Sequence, residues 1–146
     1  MNSWKSRERQ LLEELMSIPD ALACFDYLIE QAAGPGLAYQ EALRQDCNLI
    51  KGCETRTWMR CAVSDAGVIC LDADSDSMLL RGLLMLLARL YDGAAVGEIE
   101  ETLLPKAPVL RDCFSMRQLE TIEHICSEIM NMAADYRKEG FYEKSN

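Results

Sequence analysis

Residues 48–72 read NLIKGCETRTWMRCAVSDAGVICLD and decide the fold, because this β-type stretch interrupts a chain whose other segments have helical patterns. Three short runs of β-forming residues are separated by turn signals, at Asn48–Lys51, Thr57–Ser64 and Gly67–Asp72. In the third run, Ile69 and Leu71 point to one face and Cys70 to the other. We therefore predict a three-stranded antiparallel sheet.

Helical patterns flank this stretch on both sides. Before it, we expect one helix over about Ser6–Ser17 and a second that Asp20 caps and that reaches Ala33, where Gly34-Pro35-Gly36 breaks it. After it, we expect helices over Ser77–Tyr91, Val96–Leu104 and Ser115–Lys138, with Pro108 in an irregular connection and Gly140 beyond the last helix. Helices packed against one small sheet define the class α+β.

Apolar residues at helical spacing predict which positions are buried. In the first two helices they are Leu11, Leu12, Leu15, Met16, Leu22, Phe25, Leu28, Ile29 and Ala32. In the last helix they are Leu119, Ile122, Ile125, Cys126, Ile129 and Met132. The conformation of Leu37–Asp46 is ambiguous from the sequence, with Tyr39 and Leu43 expected to pack inward as in a short helical turn. Gly82 is expected to allow close approach of a neighbour.

Length and charge limit the classes of function. A chain of 146 residues with 49% hydrophobic residues fits a single folded domain over 1–146. Its net charge of −9 repels phosphate backbones, so nucleic acid is not an expected partner. The polar N-terminus has no export signal, and Arg81 and Arg89 interrupt the longest apolar stretch, so we expect a cytoplasmic protein without a membrane partner.

The chemistry-bearing residues are the seven cysteines, of which Cys53 is the candidate site. No two are separated by only two residues and there is one histidine, so we expect neither a bound metal nor a thioredoxin-type pair. Gly52 can adopt positive φ, which would present Cys53 at a loop tip between two strands. A thiol presented in this way suits transfer to another molecule better than packing.

The other candidates have ordinary structural explanations. We expect four cysteines to fill space in periodic segments: Cys24, Cys61, Cys70 and Cys126. Cys113, near a helix start, could be exposed, and Cys47 could act as a resolving thiol for Cys53. Asp74 and Asp76 suit helix capping, with partner contact as a second possibility for Asp76, and Trp58 suits a half-buried strand position.

The pattern Asn48-x-Ile50-x-Gly52-Cys53-x-Thr55-x-x-Trp58 resembles the region around the persulfide-carrying cysteine of the SufE/CsdE family of sulfur acceptors. The resemblance continues in register through Asp74-Ser75-Asp76, Arg81-Gly82-Leu83, Leu90-Tyr91-Asp92-Gly93 and Glu98-Ile99. Glu54 and Thr55 stand where the family usually has Gln and Ser, and Ser115-Met116-Arg117 keeps part of the pattern that begins its final helix.

The resemblance implies an α+β fold similar to that of iron–sulfur scaffold proteins, and a carrier step rather than a complete enzyme. Cys53 would take a persulfide from a cysteine desulfurase, whose pyridoxal phosphate belongs to that partner, and pass the sulfur to iron–sulfur cluster assembly or another acceptor. Gly52, Glu54, Asp76 and Arg117 would support the loop or contact the partner, and this chain would bind no cofactor itself.

Two alternatives remain open at this stage. The chain could be a binding module that activates a desulfurase allosterically without carrying sulfur. It could also be an iron–sulfur scaffold, which requires three or more converging ligands.

Overall fold

The computed structural model describes residues 3–33 and 41–144, with side chains up to residue 138. Its elements, in chain order, are α1 (Trp4–Met16), α2 (Ala21–Ala32), β1 (Thr57–Val63), β2 (Ile69–Ser75), α3 (Met78–Tyr91), α4 (Pro108–Cys113) and α5 (Met116–Lys144). Short 3₁₀ turns lie at Asp46–Asn48 and Leu104–Lys106. The helices pack on an antiparallel sheet, which confirms the predicted α+β class.

Side-chain caps fix where the helices begin. The Asp20 carboxylate accepts a 2.9 Å hydrogen bond from the Ala23 N–H, and the Ser77 hydroxyl accepts one of 3.2 Å from the Leu80 N–H. Each cap satisfies an N–H group that has no partner inside its helix. Both predicted starts, of α2 after Asp20 and of α3 after Ser77, are therefore confirmed.

Helix α3 is the centre of the core and packs against α1, α2 and β2. Its buried positions are Leu80, Gly82, Leu83, Leu84, Leu86, Leu87, Leu90 and Tyr91. A Cβ atom at Gly82 would lie 2.1 Å from the Leu28 carbonyl oxygen of α2, so only glycine permits this approach. The close neighbour predicted for Gly82 is thus the backbone of α2.

The end of α3 is bonded to the sheet. Gly93 adopts a φ of +79°, which glycine tolerates without strain, and turns the chain back toward β2. There the Asp92 carboxylate accepts a 2.9 Å hydrogen bond from the Leu71 N–H, and the Gly93 N–H donates one of 2.8 Å to the Ile69 carbonyl. The predicted helix end at Asp92-Gly93 is confirmed.

The sheet has two strands within the described residues, so the prediction of three was wrong. Strands β1 and β2 pair antiparallel from Thr57 opposite Ser75 to Val63 opposite Ile69. The predicted first strand makes one isolated bridge, from Leu49 to Trp58, because a 3₁₀ turn precedes it and the chain turns away at Lys51. Strand β2 also runs three residues beyond the predicted end at Asp72, to Ser75.

The predicted orientation of β2 is confirmed. Ile69 and Leu71 are buried against the helices, whereas Cys70 on the opposite face is exposed. The prediction that Cys70 fills space in the core was therefore wrong. Arg60 and Asp72 form a cross-strand ion pair of 3.1 Å between partly exposed side chains.

Periodicity predicted the buried faces of α1 and α2 only in part. Leu11, Leu15, Leu28 and Ala32 are buried, and Leu12 and Phe25 are half-buried. Met16, Leu22 and Ile29 are exposed by 77%, 72% and 45%. The predicted stripes were too wide, because α3 and α4 cover one side of these short helices and leave the flanking positions in solvent.

Residues 93–107 form turns in place of the helix predicted over Val96–Leu104. The Val96 N–H donates to the Gly67 carbonyl at 2.9 Å, which draws the segment alongside the sheet. The buried Glu8 carboxylate of α1 accepts hydrogen bonds from the Thr102 hydroxyl at 2.8 Å and the Leu103 N–H at 3.1 Å. Pro108 begins α4 rather than an irregular connection, since its missing N–H is tolerated at a helix start.

Helix α5 begins with a reciprocal cap. The Ser115 hydroxyl accepts from the Gln118 N–H at 3.1 Å, while the Gln118 side chain accepts from the Ser115 N–H at 3.0 Å. Of its predicted inner residues, four are buried and Leu119 and Met132 are half-buried; the four are Ile122, Ile125, Cys126 and Ile129. The helix continues through Gly140, which was predicted to lie beyond its end.

Two predictions fall at the edge of the described residues. Leu43 is buried as expected. Tyr39 and the predicted break at Gly34-Pro35-Gly36 lie outside the described residues.

Candidate functional site

The loop that carries Cys53 is closed by backbone hydrogen bonds. The Ile50 N–H donates to the Thr57 carbonyl at 2.8 Å, and the Asp76 N–H donates to the Arg56 carbonyl at 3.0 Å. Between these bonds, Gly52 has a φ of +82° and open space around its α-carbon. Glycine is therefore required there for backbone conformation rather than for packing.

The Cys53 side chain lies at the edge of the core. It is partly exposed and packs against the buried apolar cluster. Its sulfur lies 3.5 Å from the Oγ1 atom of Thr57, the first residue of β1. Cys53 thus contacts the core and Thr57 while part of the residue remains exposed.

Below the thiol, two buried hydroxyl groups form a short network. The Thr57 Oγ1 atom lies 3.1 Å from both the Thr55 carbonyl oxygen and the Ser75 Oγ atom. Ser75 Oγ also lies 3.2 Å from the Arg56 carbonyl oxygen and accepts from the Ser77 N–H at 3.2 Å. The network joins the Cys53 loop to the last residue of β2 and to the cap of α3.

A set of ion pairs fixes the base of the loop. Arg44 donates to the Asp74 carboxylate at 3.0 Å through Nε and to the Asp76 carboxylate at 2.7 Å through Nη1. Arg56 Nε donates to the other Asp76 oxygen at 3.0 Å, and Arg81 Nε lies 3.3 Å from Asp74. Hydrogen bonds from Arg44 and then Arg56 hold the pKa of the Asp76 carboxyl below its ordinary value.

Trp58 lies under this cluster. The Arg44 guanidinium sits 4.5 Å from the centroid of the indole ring and the Arg56 guanidinium 5.7 Å from it, which are cation–π distances. The prediction was a half-buried Trp58, but the side chain is buried. Trp58 therefore supports the two arginines that hold Asp76.

Asp74 and Asp76 do not cap α3, contrary to the prediction. The capping group is the Ser77 hydroxyl, and Asp74 lies inside β2 with a buried side chain. The prediction considered only the sequence neighbours of the two aspartates. Their strongest partner, Arg44, lies in a segment whose conformation was ambiguous from the sequence.

A further ion pair joins the loop to α5. Arg117 Nη1 donates to Glu54 Oε1 at 2.9 Å, and both side chains are exposed, by 68% and 57%. Of the predicted supporting residues, Gly52 and Glu54 lie within the loop, Asp76 anchors its base, and Arg117 reaches it from the start of the last helix. Sequence reasoning assigned no site role to Arg44, Thr57 or Ser75. Ser75 lies in the quoted motif Asp74-Ser75-Asp76, whereas no local motif marked Arg44 or Thr57.

The other six cysteines lie in different settings, and none of the seven forms a disulfide. Burial raises the pKa of Cys61 to about 11 and the pKa values of Cys113 and Cys126 to about 12, and it raises the pKa of Cys24 as well. Cys24 and Cys126 are buried as predicted, while Cys61 and Cys113 are half-buried. Cys47 is exposed on the first 3₁₀ turn, and its role as a resolving thiol stays a prediction.

Two clefts in the surface lie away from the Cys53 loop. Clefts of about 430 and 450 Å³ flank the Leu104–Lys106 turn and α5, and their walls do not include Cys53. Among the side chains that the structure describes, no three of the types His, Cys, Asp or Glu converge to hold a metal ion. No helix in the described part of the chain is long and apolar enough to cross a membrane.

The fold and the site together define a small α+β protein that presents one cysteine on an anchored loop. The chain matches the family model of the SufE Fe-S metabolism associated domain over residues 9–133. It therefore belongs to this family, as its sequence motifs indicated, and a role in iron–sulfur metabolism follows.

Proposed function

We propose that the protein accepts sulfur on Cys53 from a pyridoxal-phosphate-dependent cysteine desulfurase and passes it to an iron–sulfur scaffold or another acceptor. The observation that carries this proposal is the partly exposed Cys53 thiol on a loop whose ends are bonded to the strands. Membership in a family associated with iron–sulfur metabolism supports it.

The proposed reaction exchanges one sulfur–sulfur bond for another. The Cys53 thiolate attacks the outer sulfur of the desulfurase persulfide, a new S–S bond forms at Cys53, and the desulfurase cysteine leaves as a thiolate. The Cys53 proton goes to solvent beforehand. One S–S bond replaces another and the transferred sulfur keeps its oxidation state, so no external oxidant or reductant is needed. A second exchange of the same kind would deliver the outer sulfur to the acceptor.

The surroundings of Cys53 suit this exchange. An attacking thiolate needs an open line to the partner's sulfur, and the solvent side of the Cys53 side chain provides one. The hydrogen bonds at Ile50 and Asp76 and the ion pairs of Asp76 hold the loop in place while a partner approaches. The loop therefore needs little ordering on binding, which reduces the entropic cost of docking.

Isotope transfer tests the proposal directly. Incubation with a cysteine desulfurase and sulfur-labelled cysteine is expected to load label onto the tryptic peptide Gly52–Arg56, whose only cysteine is Cys53. Cys53→Ser is expected to abolish loading. Cys47→Ser, which removes another exposed thiol, is expected to load as the parent does.

The same experiment separates the alternatives. Label that persists in Cys53→Ser refutes Cys53 as the acceptor. If the parent itself loads no label and Cys53→Ser stimulates desulfurase turnover as strongly as the parent, the protein is an allosteric binding module. Visible absorbance after anaerobic reconstitution with iron and sulfide would instead support a scaffold.

A further inference from the structure

Thr57 is placed to act on the Cys53 sulfur. Its side chain is completely buried, and its Oγ1 atom is 3.5 Å from Cys53 Sγ, a distance at which either atom can donate. Thr57 also has the Thr55 carbonyl and Ser75 Oγ within 3.1 Å. A single hydroxyl proton therefore has three possible acceptors.

The surrounding groups restrict how this proton is used. Ser75 Oγ already accepts from the Ser77 N–H, and it has the Arg56 carbonyl as an acceptor for its own proton. A protonated Cys53 donates its S–H to Thr57 Oγ1, while Thr57 donates to the Thr55 carbonyl. An ionised Cys53 can only accept, so the Thr57 hydroxyl turns its proton to the sulfur.

We propose that Thr57 is a positioning residue for Cys53. The Thr57 hydroxyl accepts a hydrogen bond from the Cys53 thiol and donates one to the Cys53 thiolate. The hydroxyl bonds both forms of Cys53, but a hydrogen bond to a charged sulfur is stronger than one from a neutral thiol, so Thr57 favours the attacking thiolate. This inference rests on the proposed function for its biological meaning. There, Cys53 is a thiolate when it attacks the donor and again when it leaves after passing its sulfur on.

The arrangement also distinguishes the loaded from the unloaded state. In a Cys53 persulfide the negative charge lies on the outer sulfur, about 2 Å beyond Sγ. Because the Thr57 side chain is completely buried, an outer sulfur that an acceptor can reach lies on the opposite side of Sγ, farther from the hydroxyl. Thr57 thus favours the unloaded thiolate, which assists release of the sulfur to an acceptor.

The pH dependence of Cys53 alkylation tests the role of Thr57. The readout is the alkylation rate of peptide Gly52–Arg56 by mass spectrometry; this peptide has the same sequence in every Thr57 variant. Thr57→Val replaces the hydroxyl with a methyl group of similar size. It is expected to slow alkylation about 3- to 10-fold near pH 7.5, and the difference should shrink as the pH rises beyond the ordinary range of thiol pKa values.

Two matched variants guard against a folding defect. Thr57→Ser and Thr57→Ala differ from each other by a single hydroxyl group, so their ratio isolates the hydrogen bond from the lost methyl group. Ser is expected to follow the parent profile and Ala to follow Val. A Val or Ala profile that matches the parent at every pH, or that is slower by one constant factor at every pH, would overturn the proposal.

The test is independent of the proposed function. Alkylation uses no desulfurase, so a changed profile without any sulfur loading supports Thr57 and refutes the carrier role. Normal sulfur loading together with unchanged alkylation profiles supports the carrier role and refutes the role of Thr57.

Discussion

Arg117 and Glu54 form a 2.9 Å ion pair although 63 positions separate them in the chain. The pair joins the first turn of α5 to the residue that directly follows Cys53. It therefore marks where the final helix meets the site.

This pair is expected to add little to stability, because both side chains are exposed and screened by solvent. A double-mutant cycle with Glu54→Gln and Arg117→Gln should give a coupling of roughly 0.2–1 kcal/mol in urea unfolding, falling toward zero in about 1 M salt. A coupling that does not respond to salt would contradict this assignment.

Gly52→Ala is expected to destabilise the protein by roughly 1 kcal/mol, because a Cβ atom is strained at a φ of +82° even where space is open. Gly67→Ala is the control, since Gly67 has a φ of +76° in the turn between the strands. Both variants should lose similar stability in urea unfolding. Only Gly52→Ala should change the alkylation rate of Cys53 relative to the parent. A parent-like rate in Gly52→Ala, as in Gly67→Ala, would show that the backbone at Gly52 does not position the thiol.

Asp76 is expected to make stability depend on pH in the acid range. Hydrogen bonds from Arg44 and Arg56 lower the pKa of Asp76 from 3.8, so the folded state binds fewer protons than the unfolded state. The resulting stabilisation is complete above pH 3.8 and is lost as the pH falls through the folded-state pKa.

Urea unfolding at several pH values checks this. The difference in unfolding free energy between parent and Asp76→Asn should be largest near neutral pH and shrink in strong acid. Asp65→Asn removes the same charge from an exposed turn residue and serves as the control. A gap for Asp76→Asn that stays constant with pH would disprove the ion-pair explanation.

Gly82→Ala is expected to be the most damaging of the glycine substitutions. The new Cβ would lie 2.1 Å from the Leu28 oxygen and 2.8 Å from its carbonyl carbon, so α2 and α3 must separate. We expect a loss of about 3 kcal/mol in unfolding free energy. Gly97→Ala, with no atom within 4 Å of its Cβ, should differ from the parent by less than about 0.5 kcal/mol.

The six cysteines other than Cys53 should separate into two classes in alkylation at about pH 8, because only the thiolate reacts. Raised pKa values, near 11 for Cys61 and near 12 for Cys113 and Cys126, leave little thiolate at that pH. Peptide mapping should find these three and the buried Cys24 at least tenfold slower than the exposed Cys47 and Cys70. Any of the four reacting as fast as Cys47 would show that its burial is wrongly assigned.

Local signals predicted the helix ends and the loop well. Asp20, Ser77 and Ser115 cap helices that were expected to start beside them, and Gly52 takes the positive φ that its place before Cys53 suggested. These features depend on residues within a few positions of one another. A single sequence contains all the information that they need.

Features that depend on distant parts of the chain were predicted less well. The predicted third strand failed because Leu49 finds a partner at one position only. The caps assigned to Asp74 and Asp76 failed because Arg44, some 30 residues earlier, binds both carboxylates. Which long-range partner prevails depends on packing and register, and local propensity does not determine either.

Thr57 shows the same limit at the site itself. In sequence it is an ordinary β-branched residue at the start of a strand, four positions after Cys53. Its hydroxyl reaches the sulfur only because the loop folds back and the Ile50 N–H bonds to the Thr57 carbonyl. The contact is a property of the folded loop.

The fixed loop also has a kinetic consequence. Its backbone is hydrogen-bonded at both ends, which limits how far the Cys53 side chain can move. In the proposed carrier role, this loop therefore would not act as a long swinging arm between two distant proteins. Donor and acceptor would have to occupy the same surface one after the other, so the exchange of one bound protein for the next would be a step of every turnover.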